Sequence, residues 1–294
     1  METTYSDKID VNAMIRSARK HLGECIQKLF YKHNELESQG FLYHYTDIEA
    51  LLNGIIVPNP DPEKEICLRA TRWTHLNDKE EIESGLKIIE EILTDEQRYL
   101  SDGIRQYLNQ SCSLSFCKSE DSLPMWGMYG KNGAGVMLAF DTTVLRRRFY
   151  YRLLPCIYAN SNYDNDIING LRELDFGGDF ESLSTAQQCY LTFILSSVFV
   201  SIRKNAAFSF EDEARIIGLG NKYFEEINYP IQYRVSKLGL TPYVNVYLPK
   251  CALKEVWLGP TNDIELAKAT TEEFLQSRGF YDVKVKISQV PYRG

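Results

Sequence analysis

Three acidic side chains and one basic one fall between Phe208 and Gly218, in the stretch Phe-Ser-Phe-Glu-Asp-Glu-Ala-Arg-Ile-Ile-Gly. Read as a strand, it places Phe208, Phe210, Asp212, Ala214 and Ile216 on one face, with Glu211, Glu213, Arg215 and Ile217 on the other. Two carboxylates and a guanidinium on one face have two uses. In water they form a salt-bridged ladder. In a cleft they become a carboxylate held and oriented by its neighbours, as acid/base or cation-stabilising chemistry requires. His44 is the second candidate. It lies near the end of Phe41-Leu42-Tyr43-His44-Tyr45, which reads as a strand, and Thr46-Asp47-Ile48-Glu49 behind it has the spacing of a capping box. Such a junction offers free N–H groups to an anion; otherwise His44 bonds a neighbouring carbonyl. Trp126 and Tyr129 are the third. They share a face of a short helix that Ser122 caps and Pro124 opens, so they either clamp a planar ring or fill a core.

These groups need elements to position them. An amphipathic helix is predicted over 9–38, with Met14, Ala18, Leu22, Cys25, Ile26, Leu29 and Phe30 recurring at helical spacing and Gly40 stopping it. Further helices are predicted from near Lys79, capped by Asp78, to Leu93, and over 95–109, 142–149, 181–203 and 264–277. Strands are predicted over 66–71, 111–117, 136–141, 155–159, within 231–250, at 256–258 and over 281–290. Residues 160–180 are polar and acidic and read as loop. Helices and strands interleave irregularly and the late strands cluster. The expected class is α+β: a single domain over 41–294 with a mixed or antiparallel sheet core and flanking helices, and an added N-terminal helix over 1–40.

Composition narrows the function. The 294-residue chain is 44% hydrophobic and 25% charged, as in ordinary globular proteins. Its net charge of -7 speaks against a broad nucleic-acid surface, and the Arg146–Arg148 run reads as a solvated helix end. Seven cysteines show no paired or zinc-ligand spacing, which suggests reduced thiols in a cytoplasmic protein. The N-terminus lacks the pattern of a signal peptide. The uncharged stretch 182–202 is long enough to span a bilayer, but Gln187, Gln188, Ser196 and Ser197 make a buried helix the expectation and no membrane partner is expected. Two other readings stay open. His44-Tyr45-Thr46 matches half of the two-histidine phosphoesterase pattern, and Asp78, Glu211 and Glu213 are candidate ligands of a metal-dependent nuclease. A non-catalytic module could instead use the Glu211/Glu213/Arg215 face to recognise a nucleotide or partner.

Several stretches together resemble a bacterial family of unknown function, DUF2971. They are Leu42-Tyr43-His44-Tyr45-Thr46, the run from His75 to Glu81, Ser113-Leu114-Ser115-Phe116-Cys117, Met125 to Gly130, Gly135 to Asp141, Lys204 through Arg215, Gly259-Pro260 and Val290 to Arg293. Lys79 departs from the proline usual in that family. A weaker resemblance, to ADP-ribosyltransferase-like folds, rests on an early strand-end histidine, a central tyrosine and a late strand glutamate. It maps onto His44, Tyr129 and Glu213, and Glu211-x-Glu213 is similar to the Glu-x-Glu of the arginine-modifying branch. That branch carries arginine where His44 stands, which leaves the acceptor open. The resemblance implies an enzyme that cleaves the nicotinamide–ribose bond of NAD, with ADP-ribose passed to a protein or nucleic-acid acceptor, in bacterial (phage) defence or as a toxin. Its implied catalytic residues are Glu213, His44 and Glu211. His44, Tyr45, Thr46, Ser115, Trp126, Tyr129 and Arg215 would bind NAD as substrate, and no metal is required. Bond cleavage develops oxocarbenium character, which a fixed carboxylate stabilises.

Overall fold

In a computed structural model, the structure describes residues 23–30, 35–78, 80–173, 184–220, 229–236, 239–260 and 264–291. A helix α1 over residues 23–30 leads to β1 (Phe41–Thr46). One helical turn, α2 (Ile48–Ala50), runs into a π-helical turn at Leu51–Ile55 before β2 (Ile66–Arg72). Two amphipathic helices follow, α3 (Glu81–Ile92) and α4 (Tyr99–Gln110), then β3 (Cys112–Cys117), α5 (Leu123–Met128), β4 (Val136–Asp141) and α6 (Thr142–Phe149). The short strands β5 (Leu153–Pro155) and β6 (Ile157–Tyr158) precede α7 (Asn162–Arg172), α8 (Thr185–Ile202), β7 (Arg203–Lys204) and β8 (Glu213–Leu219). The chain continues with β9 (Gln232–Ser236), β10 (Gly239–Leu248), β11 (Leu253–Leu258), α9 (Ile264–Ser277) and β12 (Lys284–Ile287).

The main sheet has the order β12-β11-β4-β1-β3-β2-β10-β9, with β8 also on β3 and β5 on β8. It is mixed: β11 and β12 are parallel, and the remaining neighbours antiparallel. Alternating side chains give it a large core on one face, including Leu42, Leu68, Leu114, Phe116, Leu138, Ile216 and Val244. A second core joins the helices to β8 through Phe30, Leu86, Ile104, Leu195, Phe199 and Ile217. This is the expected α+β architecture.

One irregularity matters for function. β8 pairs β3 along almost its whole length, from Cys112 to Cys117. A strand has two edges, so β1 and β2 must share the other. β2 pairs it at Thr71↔Ser113 and Arg72↔Cys112, and β1 only at Tyr43↔Cys117. Between these points the ladder is interrupted along Leu114–Phe116, and a cavity opens there.

Several expectations need correction. Phe208–Glu211 is not strand: Ala206–Glu211 is a 3₁₀ helix, capped by the Asn205 side chain and ended by left-handed Asp212 (φ 42°). The junction after β1 is capped by Asp47, whose carboxylate accepts from Ala50 N, and not by Thr46, which is still in β1. Part of the expected 160–180 loop is α7. Ser161 caps it, and Ile167 and Leu171 bury into the helical core, a spacing that the surrounding acidic residues masked. The expected strand 155–159 is split into β5 and β6. For the opening helix, 23–30 of the predicted span lies in α1, and Cys25, Ile26 and Phe30 pack into the second core; Glu35–Glu37 is a 3₁₀ turn, and 9–22 and 31–34 lie outside the described residues. The long apolar helix is confirmed as α8. Its length and composition would suffice to cross a membrane, but 61% of it is buried inside the fold.

Candidate functional site

The cavity has a volume of about 330 Å³, within the size range of small-molecule sites. His44, Tyr45, Thr46, Ser115, Tyr129, Glu211, Glu213 and Arg215 line it, so the structure brings together every residue singled out by sequence except Trp126. Trp126 is fully buried elsewhere. Its indole packs edge-on against Tyr45, with centroids 5.0 Å apart, and Nε1 donates to Asp121 Oδ1 at 2.7 Å. The expectation of a two-aromatic clamp is thereby corrected: Tyr129 faces the cavity and Trp126 belongs to the core.

One wall is a buried ion cluster. In β8 the period of two places Glu213 and Arg215 on the same face, as expected, but against the helical layer and not in water. Arg215 Nε donates to Glu213 Oε1 at 2.6 Å and NH2 donates to Oε2 at 3.0 Å, a bidentate pair. Its NH1 donates to Ser201 O at 3.1 Å and lies 2.6 Å from Glu81 Oε1, and its guanidinium stacks 4.9 Å from the Trp73 ring centre. The contact to Glu81 is an ion pair by distance without the direction of a hydrogen bond. Arg215 is thus held within the cluster, where it orients Glu213.

Lys204 completes the wall. Helix α8 ends at Ile202, and the alternation of β7 sends its two cations opposite ways. Arg203 forms a buried pair with Asp164 of α7, at 2.9 Å, while Lys204 Nζ donates to Glu213 Oε2 at 2.6 Å and to Glu211. Glu211 reaches Lys204 from the 3₁₀ helix, so the two glutamates meet through fold and not through strand spacing. Glu211 Oε1 accepts from Tyr129 OH at 2.6 Å, and Asn77 Nδ2 donates to the same hydroxyl at 2.8 Å. Burial disfavours the Glu213 anion, but Arg215 and Lys204 outweigh it and hold the carboxyl at about 2. Burial also opposes the charge on Lys204, and Glu213 chiefly reverses this, so the ammonium is held above its ordinary value. Glu81 lacks comparable compensation, and burial pushes its carboxyl up. Three carboxylates, Glu81, Glu211 and Glu213, thus face two cations.

His44 stands across the gap. Its Nδ1 lies 3.1 Å from Ser115 O, where the β3 edge has no ladder partner, and the ring packs edge-on against Phe116. Donation to that carbonyl places the proton on Nδ1 and leaves Nε2 with a lone pair. Burial lowers the imidazole below 6.5, so the ring is neutral near pH 7. Ser115 thus contributes its backbone, while Tyr45 is tied up as acceptor from Ser122 N at 2.9 Å. Sequence reasoning missed Lys204, Glu81 and Asn77 as site residues. Glu81 carried a signal, since it lies one and two helical turns before Gly85 and Ile89 on the buried face of α3.

Fold and site define an α+β protein with a charged cavity at an interrupted sheet edge. Residues 125–216 match the model of a family described as a protein of unknown function, DUF2971. The matched segment carries Tyr129, Lys204, Glu211, Glu213 and Arg215; His44, Asn77 and Glu81 come from outside it. No curated protein matches the chain, and no solved structure matches it. Among the described residues, no group of three or more His, Cys, Asp or Glu side chains is arranged to hold a metal ion.

Proposed function

We propose that this protein is an ADP-ribosyltransferase-like enzyme that cleaves the nicotinamide–ribose bond of NAD, with a protein or nucleic acid as the ADP-ribose acceptor, in bacterial defence or toxin action in the cytoplasm. The observation that carries the reading is the convergence of His44, Tyr129, Glu211 and Glu213 on one cavity. Nicotinamide in NAD is a flat cationic ring, suited to the face of Tyr129 and to the Glu211 and Glu213 carboxylates that line the cavity. Glu213, fixed by Arg215 and Lys204, provides a preorganised negative charge for the oxocarbenium-like transition state. Glu211 and the Tyr129 hydroxyl form the adjoining polar pair, and the neutral His44 offers Nε2 as acceptor for a ribose hydroxyl.

The test is mass spectrometry of free nicotinamide from purified protein with NAD. Wild type should release nicotinamide. Glu211→Gln should slow release by about 100-fold or more, the usual scale for one preorganised electrostatic group, with its melting temperature measured in parallel. Glu213→Gln should also abolish release, but it cuts buried ion pairs to both Arg215 and Lys204, whereas Glu211→Gln cuts the pair to Lys204 alone, so Glu211→Gln is the less disruptive variant. Unchanged release by both folded variants would refute the assignment. One observation favours a second reading, a nucleotide-binding module without turnover: both Glu213 oxygens already accept from Arg215 or Lys204. NAD binding with no release, unaffected by Glu211→Gln, would select it.

A further inference from the structure

Arg69 and Arg234 also line the cavity, away from the ion cluster in sequence and in strand order. Arg69 projects from β2 on the same face as Cys67 and Thr71, opposite the core residues Leu68 and Ala70. Arg234 comes from the edge strand β9. Between their strands runs β10, whose Tyr243 lies under the Arg69 guanidinium at 5.3 Å from the ring centre. Arg234 NH2 donates to Thr71 Oγ1 at 3.1 Å. A Cβ on Gly54 would come within 3.2 Å of Arg69 NH2, so the π-helical turn also bounds that guanidinium. Both arginines are exposed, and neither has a carboxylate within ion-pair distance among the described residues. Each is instead near the other: although Arg234 reaches solvent, the cavity mouth partly encloses its guanidinium, and its charge is disfavoured first by that partial burial and next by Arg69. Arg234 also acts on His44, where it adds to the burial that keeps the imidazole neutral.

Two positioned guanidiniums with no counter-charge among the described residues, sharing a concave site, are suited to a multiply charged oxyanion. We propose that Arg69 and Arg234 form an anion subsite of this cavity that takes the diphosphate of a nucleotide. In the reading above, on which the link to NAD rests, that diphosphate is NAD's, held in the same cavity as the carboxylate wall but by residues of other strands. Arg215, the arginine nearest in sequence to the glutamates, is already ion-paired with Glu213 and Glu81, whereas Arg69 and Arg234 lie on other strands with no such pair among the described residues.

Isothermal titration calorimetry with ADP and with inorganic pyrophosphate tests the subsite. Both should bind wild type. Arg69→Gln and Arg234→Gln should each weaken ADP at least tenfold, and the double variant should show no binding. Arg147→Gln, at an exposed arginine outside the cavity lining, should stay within twofold of wild type. Circular dichroism melting checks the fold, which surface substitutions should leave intact. Absence of binding by wild type, or equal loss in Arg147→Gln, would overturn the proposal, as would unaltered affinity in the double variant. Arginine-dependent ADP binding without nicotinamide release would keep the anion subsite and remove the NAD reading. Nicotinamide release with an unchanged KM in the double variant would do the reverse.

Discussion

Lys204 is the hinge of the site's electrostatics. It separates Glu211 from Glu213, and without it two buried carboxylates would face each other. Lys204→Met should therefore destabilise the protein by about 3–5 kcal/mol, the usual cost of breaking a buried ion pair from one side; urea denaturation measures it. A loss below about 1 kcal/mol, typical of exposed pairs, would mean that the cluster is solvated. The Glu211, Glu213 and Arg215 pattern was readable as chemistry from residue types alone. Lys204 was not, because a lysine at a helix end usually faces water, and its burial here depends on two carboxylates delivered by later segments. Trp126 erred in the other direction: its spacing from Tyr129 suited a clamp, yet Asp121 and Tyr45 satisfy it inside the core.

At the junction of β1 with β4, glycine sets how close the backbones come. A Cβ on Gly135 would overlap the carbonyls of Thr46 and Gly130, beside the strand end that presents His44. Gly135→Ala should cost at least about 2 kcal/mol, as overpacking does, and should disturb the His44 ring signals in NMR. Gly127, inside α5, has open space around its Cβ direction, so Gly127→Ala should be neutral or stabilise by about 0.5–1 kcal/mol. Chemical denaturation of the pair compares the two. Strands marked by short apolar or aromatic runs, such as β1, β3 and β4, were legible along with the apolar helix α8. The 3₁₀ turn at Ala206–Glu211 was not, since the alternation of Phe208 and Phe210 with polar Ser209 and Glu211 mimics a strand, and only the Asn205 cap and left-handed Asp212 end it where they do.

Across the molecule, the buried titratable groups set a pH dependence with a definite sign. Glu213 is held at about 2, against 4.5 for an ordinary glutamate. Its stabilisation is complete above 4.5 and is lost as pH falls from 4.5 towards 2, because the unfolded chain takes up the proton first. The loss is on the order of 3 kcal/mol at 1.36 kcal/mol per unit. His44, lowered from 6.5 by burial, begins to cost stability as pH falls below 6.5; Glu81, raised by burial, acts in the opposite sense above 4.5. The two oppose each other, so the steepest fall should lie below pH 4.5. Urea midpoints across pH 2–7 check this, and a stability maximum below pH 4 would contradict it.

Local signals were enough for the α+β class and for most elements, because apolar periodicity and cap or turn residues act over a few positions and report which face is buried. They also marked His44, Tyr129, Glu211 and Glu213 as groups capable of chemistry. Their assembly into one cavity arises from long-range pairing: β1 and β2 share one edge of β3 and leave Leu114–Phe116 open. The same pairing brings Arg69 and Arg234, 165 positions apart by their residue numbers, to a common mouth. Strand order and register are set by the summed burial of many side chains, so the partners of a charged group that the whole fold encloses cannot be read from its neighbours in the chain.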